Sequence, residues 1–460
     1  MTLTAAERVA EQEAQREAGV DRLARRWLVL YAGAWIFGGA LRKWGPPGLA
    51  QPLYFVADAV TFGAFGLLLL RRSPAVVGRR LIGGLALLAA LVLLGTVQIL
   101  AGAVATATAV GVITYGSPAV ALLLVSFVRD RERARRQVMW VILWSTPVQA
   151  GLAALQTFSP LDSVWNQVGA TGDVGLSTAD GVVRATGTFT APVGLTAFVT
   201  VAAVAAFSDY ASRRISLRSG LALASVLFLV SVGGSRGAIL NVALVLIGLM
   251  LWSGSSLFRS NGGRSRLVTL IGAVVIGAVG VGAAVRFLPQ VIAAFRVRID
   301  QAGAREDPVQ RILNAAFGYL GEPFSWVGDG IGSHTLAGLS AGSPGPWIEL
   351  EMPRLVAEFG LLGLALAALR QLAAVFLLVH GVGAARRSND PLLALVALPG
   401  SLLLFQGALF APSLVAGAFV ILAALYLLGR PPRATPGQRG ARKRVTSSRV
   451  VQRVDPGRTC

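Results

Sequence analysis

Cysteine is almost missing from this 460-residue chain, and the one present, Cys460, is its last residue. A disulfide framework is therefore excluded, as is a prenylation box, which needs its cysteine four residues from the end. Histidine occurs only twice, at His334 and His380. With no paired histidines and no cysteine cluster, no metal and no other cofactor is expected. A Walker loop is lacking, as is a glycine-rich nucleotide loop after a strand, so ATP or a nucleotide-sugar donor has no visible site. Charge is scarce too: 14% of residues are charged, and Asp plus Glu total 22 against 42 Lys plus Arg. With 54% hydrophobic residues and a mean hydropathy of +0.66, a soluble globular chain is excluded. No internal repeat is visible, which argues against a secondary transporter with symmetric halves.

What the chain does have is apolar runs of about 17–22 residues, each long enough for the ~30 Å hydrocarbon core of a bilayer. Continuous runs of this length mean helices, because only helices or closed barrels satisfy backbone polar groups in lipid. The pattern predicts an all-α polytopic membrane bundle over about 27–429, with about 12 spans near 27–41, 52–70, 81–100, 109–128, 138–157, 191–208, 219–233, 238–254, 267–285, 355–379, 391–408 and 412–429. Residues 1–26, charged in both signs, read as a cytoplasmic amphipathic helix with no cleavable signal. The Arg/Pro/Gly/Ser-rich stretch 430–460 reads as a disordered basic cytoplasmic tail.

The net charge of +20 invites a nucleic-acid reading, and its distribution removes it. Of the 42 basic residues, 31 fall in the two terminal segments and in alternate short gaps, at 71–80, 129–136, 213–218, 259–266 and 386–387. That is the positive-inside pattern, with attraction to anionic membrane lipid as its further consequence. It places both termini in the cytoplasm and six gaps outside, the longest being 158–190 and 286–354. The second is expected to be an ordered, partly helical loop over the bundle, helical over 287–321 and anchored by Phe324, Trp326 and Trp347.

Ten cations fall in these outward gaps: Arg42, Lys43, Arg184, Arg236, Arg286, Arg296, Arg298, Arg305, Arg311 and Arg354. Topology does not require them there. Arg236 is the sharpest candidate. It sits in the short turn Gly233-Gly234-Ser235-Arg236-Gly237, where a guanidinium suits bidentate phosphate binding and the glycines admit a ligand. Snorkelling to headgroups is its plainer reading. Arg311, on a loop helix, reads alone as a solvated arginine. Glu349, Glu351 and Glu358 cluster before or within a span, where partial burial would suit one of them to general-base work and pairing with an outward arginine is the plainer role. His334 reads first as a solvated loop histidine. Trp326 and Trp347 read first as interfacial anchors, then as platforms for sugar rings.

Four stretches together resemble the O-antigen ligase / O-antigen polymerase family of bacterial membrane glycosyltransferases. They are Arg184-Ala185-Thr186-Gly187-Thr188-Phe189; Gly234-Ser235-Arg236-Gly237-Ala238; Arg311 with Glu322-Pro323 and Gly328-Asp329-Gly330-Ile331-Gly332; and Glu358-Phe359-Gly360-Leu361-Leu362-Gly363. The resemblance implies transfer of a glycan from undecaprenyl pyrophosphate to an acceptor glycan or lipid hydroxyl, on the outer side of the cytoplasmic membrane. By the same resemblance Arg236 and Arg311 hold the pyrophosphate and Arg184 is substrate-binding. The family's histidine is absent here, and Glu349 stands at its position. Either Glu349 is the base, or His334 supplies it from elsewhere in the loop, or the activity differs. Alternatives are a polymerase joining lipid-linked repeat units, a lipid-linked glycan transporter and a non-catalytic envelope-assembly protein.

Overall fold

A computed structural model describes residues 4–430 apart from 72–74, 168–177, 180–181, 213–215, 258–270, scattered positions within 273–284, and 306, 323–324, 389, 408 and 411–412. The expected ninth span falls largely on residues left out, and the tail beyond Arg430 lies outside the described residues. The architecture is helical. In chain order the helices are α1 (Ala5–Trp44), α2 (Val56–Leu70), α3 (Ala75–Leu100), α4 (Ala105–Val125), α5 (Arg131–Phe158), α6 (Pro192–Ser212), α7 (Leu217–Gly233) and α8 (Arg236–Leu257). The chain continues with α9 (Gly277–Phe287), α10 (Pro289–Arg305), α11 (Pro308–Phe317), α12 (Leu336–Ser340), α13 (Glu351–Phe359), α14 (Leu361–Ser388), α15 (Pro391–Gln406) and α16 (Ser413–Gly429). One two-residue hairpin pairs Thr178 with Val183 and Ala179 with Val182.

Seven helices are long and apolar enough to cross a membrane, and the bent pair α9/α10 makes up to eight. The chain is a helical membrane protein. Helix α6 is the hub, packing against α5, α7, α8, α15 and α16, with 89% of its span window buried. Its Ala-rich run Ala202–Ala206 lets neighbouring backbones approach closely, as small residues do between helices in lipid. Helices α3 and α14 instead leave most of their apolar side chains, such as Val92, Leu93, Leu372 and Phe376, on the surface. So large an apolar exposure suits lipid and not water.

Two boundaries differ from the sequence expectation. Helix α1 runs through position 26 without a break, so the N-terminal segment is the first 22 residues of a 40-residue helix. At that end Asp21 accepts from the backbone N–H of Arg129 (2.7 Å) and pairs with Arg25 (2.9 Å), tying α1 to the start of α5. The expected span at 355–379 divides at Gly360, whose φ of +60° ends α13. A side chain at Gly360 would also collide with the backbone at Ser325–Gly328. The spanning helix therefore starts at Leu361.

Candidate functional site

Segments predicted to share one side of the membrane do meet at one end of the bundle. Residues 184–190 thread between α1 and α5. Here Gln156, from α5, accepts from the N–H of Thr186 and Gly187 (2.9 and 2.8 Å) and donates to the Gly187 and Trp165 carbonyls (2.9 and 3.1 Å). Gln149, one face earlier, accepts from Thr188 N–H at 2.9 Å. Lys43 donates to Thr186 Oγ1 and the Gly187 carbonyl, and Arg42 to the Ala50 carbonyl and Thr190 Oγ1. These two cations are accordingly buried and hold the loop, since a buried backbone group left unpaired is costly.

The loop delivers Arg184 to the α7–α8 turn. Its Nε donates to the Gly233 carbonyl at 2.9 Å. Gly234 closes α7 at φ +54°, and Ser235 caps α8 by accepting from Ala238 N–H. Arg236 is the first residue of α8 and its side chain is exposed. The space beside Gly234 is filled by Arg298 of α10, whose guanidinium would collide with any Cβ there and donates to the Val182 carbonyl at 3.1 Å. Burial, and then the neighbouring charge of Arg298, push Arg184 down to about 10. No carboxylate pairs with Arg184, Arg236 or Arg298 among the described residues. The arrangement offers fixed positive charge that a multiply charged anion can complete.

A separate group of charged residues, around α11 and α13, is balanced in charge. Arg311, on α11, pairs with Glu349 at 2.8 Å, both side chains remaining partly exposed. The structure thus brings two sequence candidates together, Arg311 and Glu349, while Arg184 joins the turn that carries Arg236. Glu351 is fully buried. It takes Arg354 at 3.0 Å and Arg370 at 2.6 Å, and accepts from the N–H groups of Leu409 and Phe410. Glu358 accepts from Gly332 N–H (2.9 Å) and His334 N–H (3.0 Å). Both carboxylates are committed to holding the fold, which leaves Glu349 as the accessible one of the three.

The glycine-rich loop is pressed onto α4 so that a Cβ at Gly332 would lie 2.6 Å from the Gly111 Cα. Gln98 of α3 locks it by accepting from Ile331 N–H and donating to the Val327 and Glu358 carbonyls. His334 departs from its expected solvated state: it is buried, with Nδ1 2.8 Å from the Pro346 carbonyl and Nε2 3.1 Å from Asp329. Trp326 and Trp347 are surface residues, 79% and 48% exposed. Sequence reasoning missed Arg298, Gln98, Gln149 and Gln156. The glutamines carried a readable signal, because an amide within an apolar span is costly unless bonded. Nothing set Arg298 apart from Arg286 or Arg296. No protein-family model matches the chain, and no curated protein matches it either.

Proposed function

We propose that the chain is an O-antigen ligase-like membrane glycosyltransferase for cell-surface polysaccharide, moving a glycan from an undecaprenyl-pyrophosphate donor to an acceptor hydroxyl. The observation that supports this reading is the meeting of Arg184, Arg236 and Arg298 at one helix turn with no carboxylate paired to them among the described residues. Such a cluster matches a diphosphate. Fixed positive charge where the leaving group gathers negative charge is what this transfer needs. In the proposed topology α1, the bent pair and the three shorter apolar helices α7, α15 and α16 also cross the membrane, making twelve spans. The site then faces outward, both termini are cytoplasmic, and the apolar surfaces of the bundle take the polyprenyl tail.

The acceptor oxygen attacks the anomeric carbon as the bond from that carbon to the diphosphate oxygen breaks. The bonding pair leaves with the diphosphate, and the hydroxyl proton passes to Glu349. In the donor-free protein Glu349 is paired with Arg311. An incoming diphosphate competes for Arg311 and frees Glu349 to accept the proton. Trp326 and Trp347, exposed on the same outer segment, are available to sugar rings.

The test is transfer by purified protein in vesicles supplied with a lipid-linked glycan. Arg236→Ala and Arg184→Ala are expected to insert normally and leave the lipid-linked donor unconsumed. Normal transfer by both variants overturns this mechanism, and a ladder of products instead of a single attachment identifies a polymerase.

A further inference from the structure

His334 is a titratable side chain of the outer segment that the proposed reaction does not use, and it is also among the most tightly held. Only 4% of the residue is exposed. Its N–H is fixed on Glu358, and through Glu358 and Gln98 its loop is fixed to α13 and α3. From that anchored position it reaches across to the segment that carries Glu349. The His334 carbonyl accepts from Ile348 N–H at 3.2 Å, and Nδ1 meets the Pro346 carbonyl at 2.8 Å. Gly345 lies against the ring, where a Cβ would be 2.8 Å from Cε1. The far nitrogen faces Asp329 at 3.1 Å.

Both ring nitrogens therefore face oxygen acceptors. The ring is thus held at both nitrogens, by a backbone carbonyl on one side and a carboxylate on the other. Residues 341–350 have no helix or strand to stiffen them. Besides His334, Arg354 holds the Ile348 carbonyl at 3.3 Å and Thr106 holds the Ala341 carbonyl at 2.6 Å. His334 grips both sides of Trp347, at the Pro346 carbonyl and the Ile348 N–H, two residues ahead of Glu349.

We propose that His334 is a positioning residue: with Asp329 it clasps residues 345–348 onto the glycine-rich loop and so sets where Glu349 and Arg311 stand. The ring is too buried and too fully engaged to take a proton from an acceptor itself, so it does not serve as the alternative base. The functional part of this inference rests on the reading of Glu349 as proton acceptor, and the structural part does not.

The experiment joins two readouts. A nitroxide is attached at Pro344→Cys in a Cys460→Ser background, and glycan transfer is measured in the same proteins. His334→Ala is expected to sharpen the nitroxide spectrum and to lower kcat at least about tenfold with donor KM within about twofold, as a displaced reacting group requires. Asp329→Asn, whose amide can still donate to or accept from the ring, is expected to keep both near wild type, while Asp329→Leu follows His334→Ala. A spectrum unchanged in both His334→Ala and Asp329→Leu overturns the clasp. A mobile segment with undiminished kcat overturns the positioning role. If the wild-type protein transfers no glycan, the proposed function fails, and the spectra still decide the clasp.

Discussion

Arginines meet two opposite fates at the same end of this bundle. Around α13, Arg354 and Arg370 are buried against Glu351, and Arg311 is paired with Glu349. At the α7–α8 turn, Arg184 and Arg298 crowd together beside Arg236, and among the described residues their partners are the Gly233 and Val182 backbone carbonyls. A buried guanidinium with its carboxylate is finished and holds structure. Three without one leave positive charge that a ligand can complete. Arginine content alone says nothing about function here; the charge balance around each arginine does.

Removing the balance from the first region is expected to have the largest effect. Glu351→Ala leaves two buried guanidiniums without their carboxylate, a loss of roughly 3–5 kcal/mol that thermal unfolding in detergent reads directly. A small shift would mean that the two regions differ less than their geometry indicates.

Next comes Gly234→Ala. An alanine at φ +54° costs about 1–2 kcal/mol, and its methyl group displaces the Arg298 guanidinium. Anion affinity is expected to fall together with stability, and titration with inorganic pyrophosphate checks the first. Arg298→Ala should be milder on stability. The lost bond to the Val182 carbonyl is offset by relief of repulsion with Arg184, for a net change within about 1 kcal/mol. A collapse comparable to Glu351→Ala would reclassify Arg298 as structural.

The smallest stability effect is expected for Glu349→Gln. The Arg311 pair is exposed and worth about 0–1 kcal/mol, so the unfolding temperature hardly moves. Turnover should nevertheless drop, with donor binding retained. Loss of fold without loss of turnover would reverse the roles given to Glu349 and Glu351.

Much of this arrangement was legible in the sequence. The apolar runs marked the helices, and the end of the span at Gly233 was legible, whereas α8 starts at Arg236, two residues before the expected 238, because Ser235 caps it. The stretches around Arg184 and Arg236 were singled out separately, and the fold joins them through Gly233. What could not be read are the long-range partners. Glu351 and Arg370 stand nineteen residues apart in two helices, and only the break at Gly360 turns one toward the other. His334 sits in a stretch rich in Gly and Ser, a composition typical of solvated loops, and is buried only because α4 presents Gly111 to its loop. Three neighbouring arginines of the outer segment looked equivalent until α10 aimed Arg298 at the turn.

The central claim is that the α7–α8 turn holds an anion because its arginines pair with no carboxylate among the described residues. Calorimetric titration of purified protein with inorganic pyrophosphate tests it most directly. Wild type is expected to bind one equivalent, and Arg184→Ala to bind roughly ten- to a hundredfold more weakly, the worth of one charge-assisted contact. Absence of binding by wild type, or equal binding by Arg184→Ala, would contradict it.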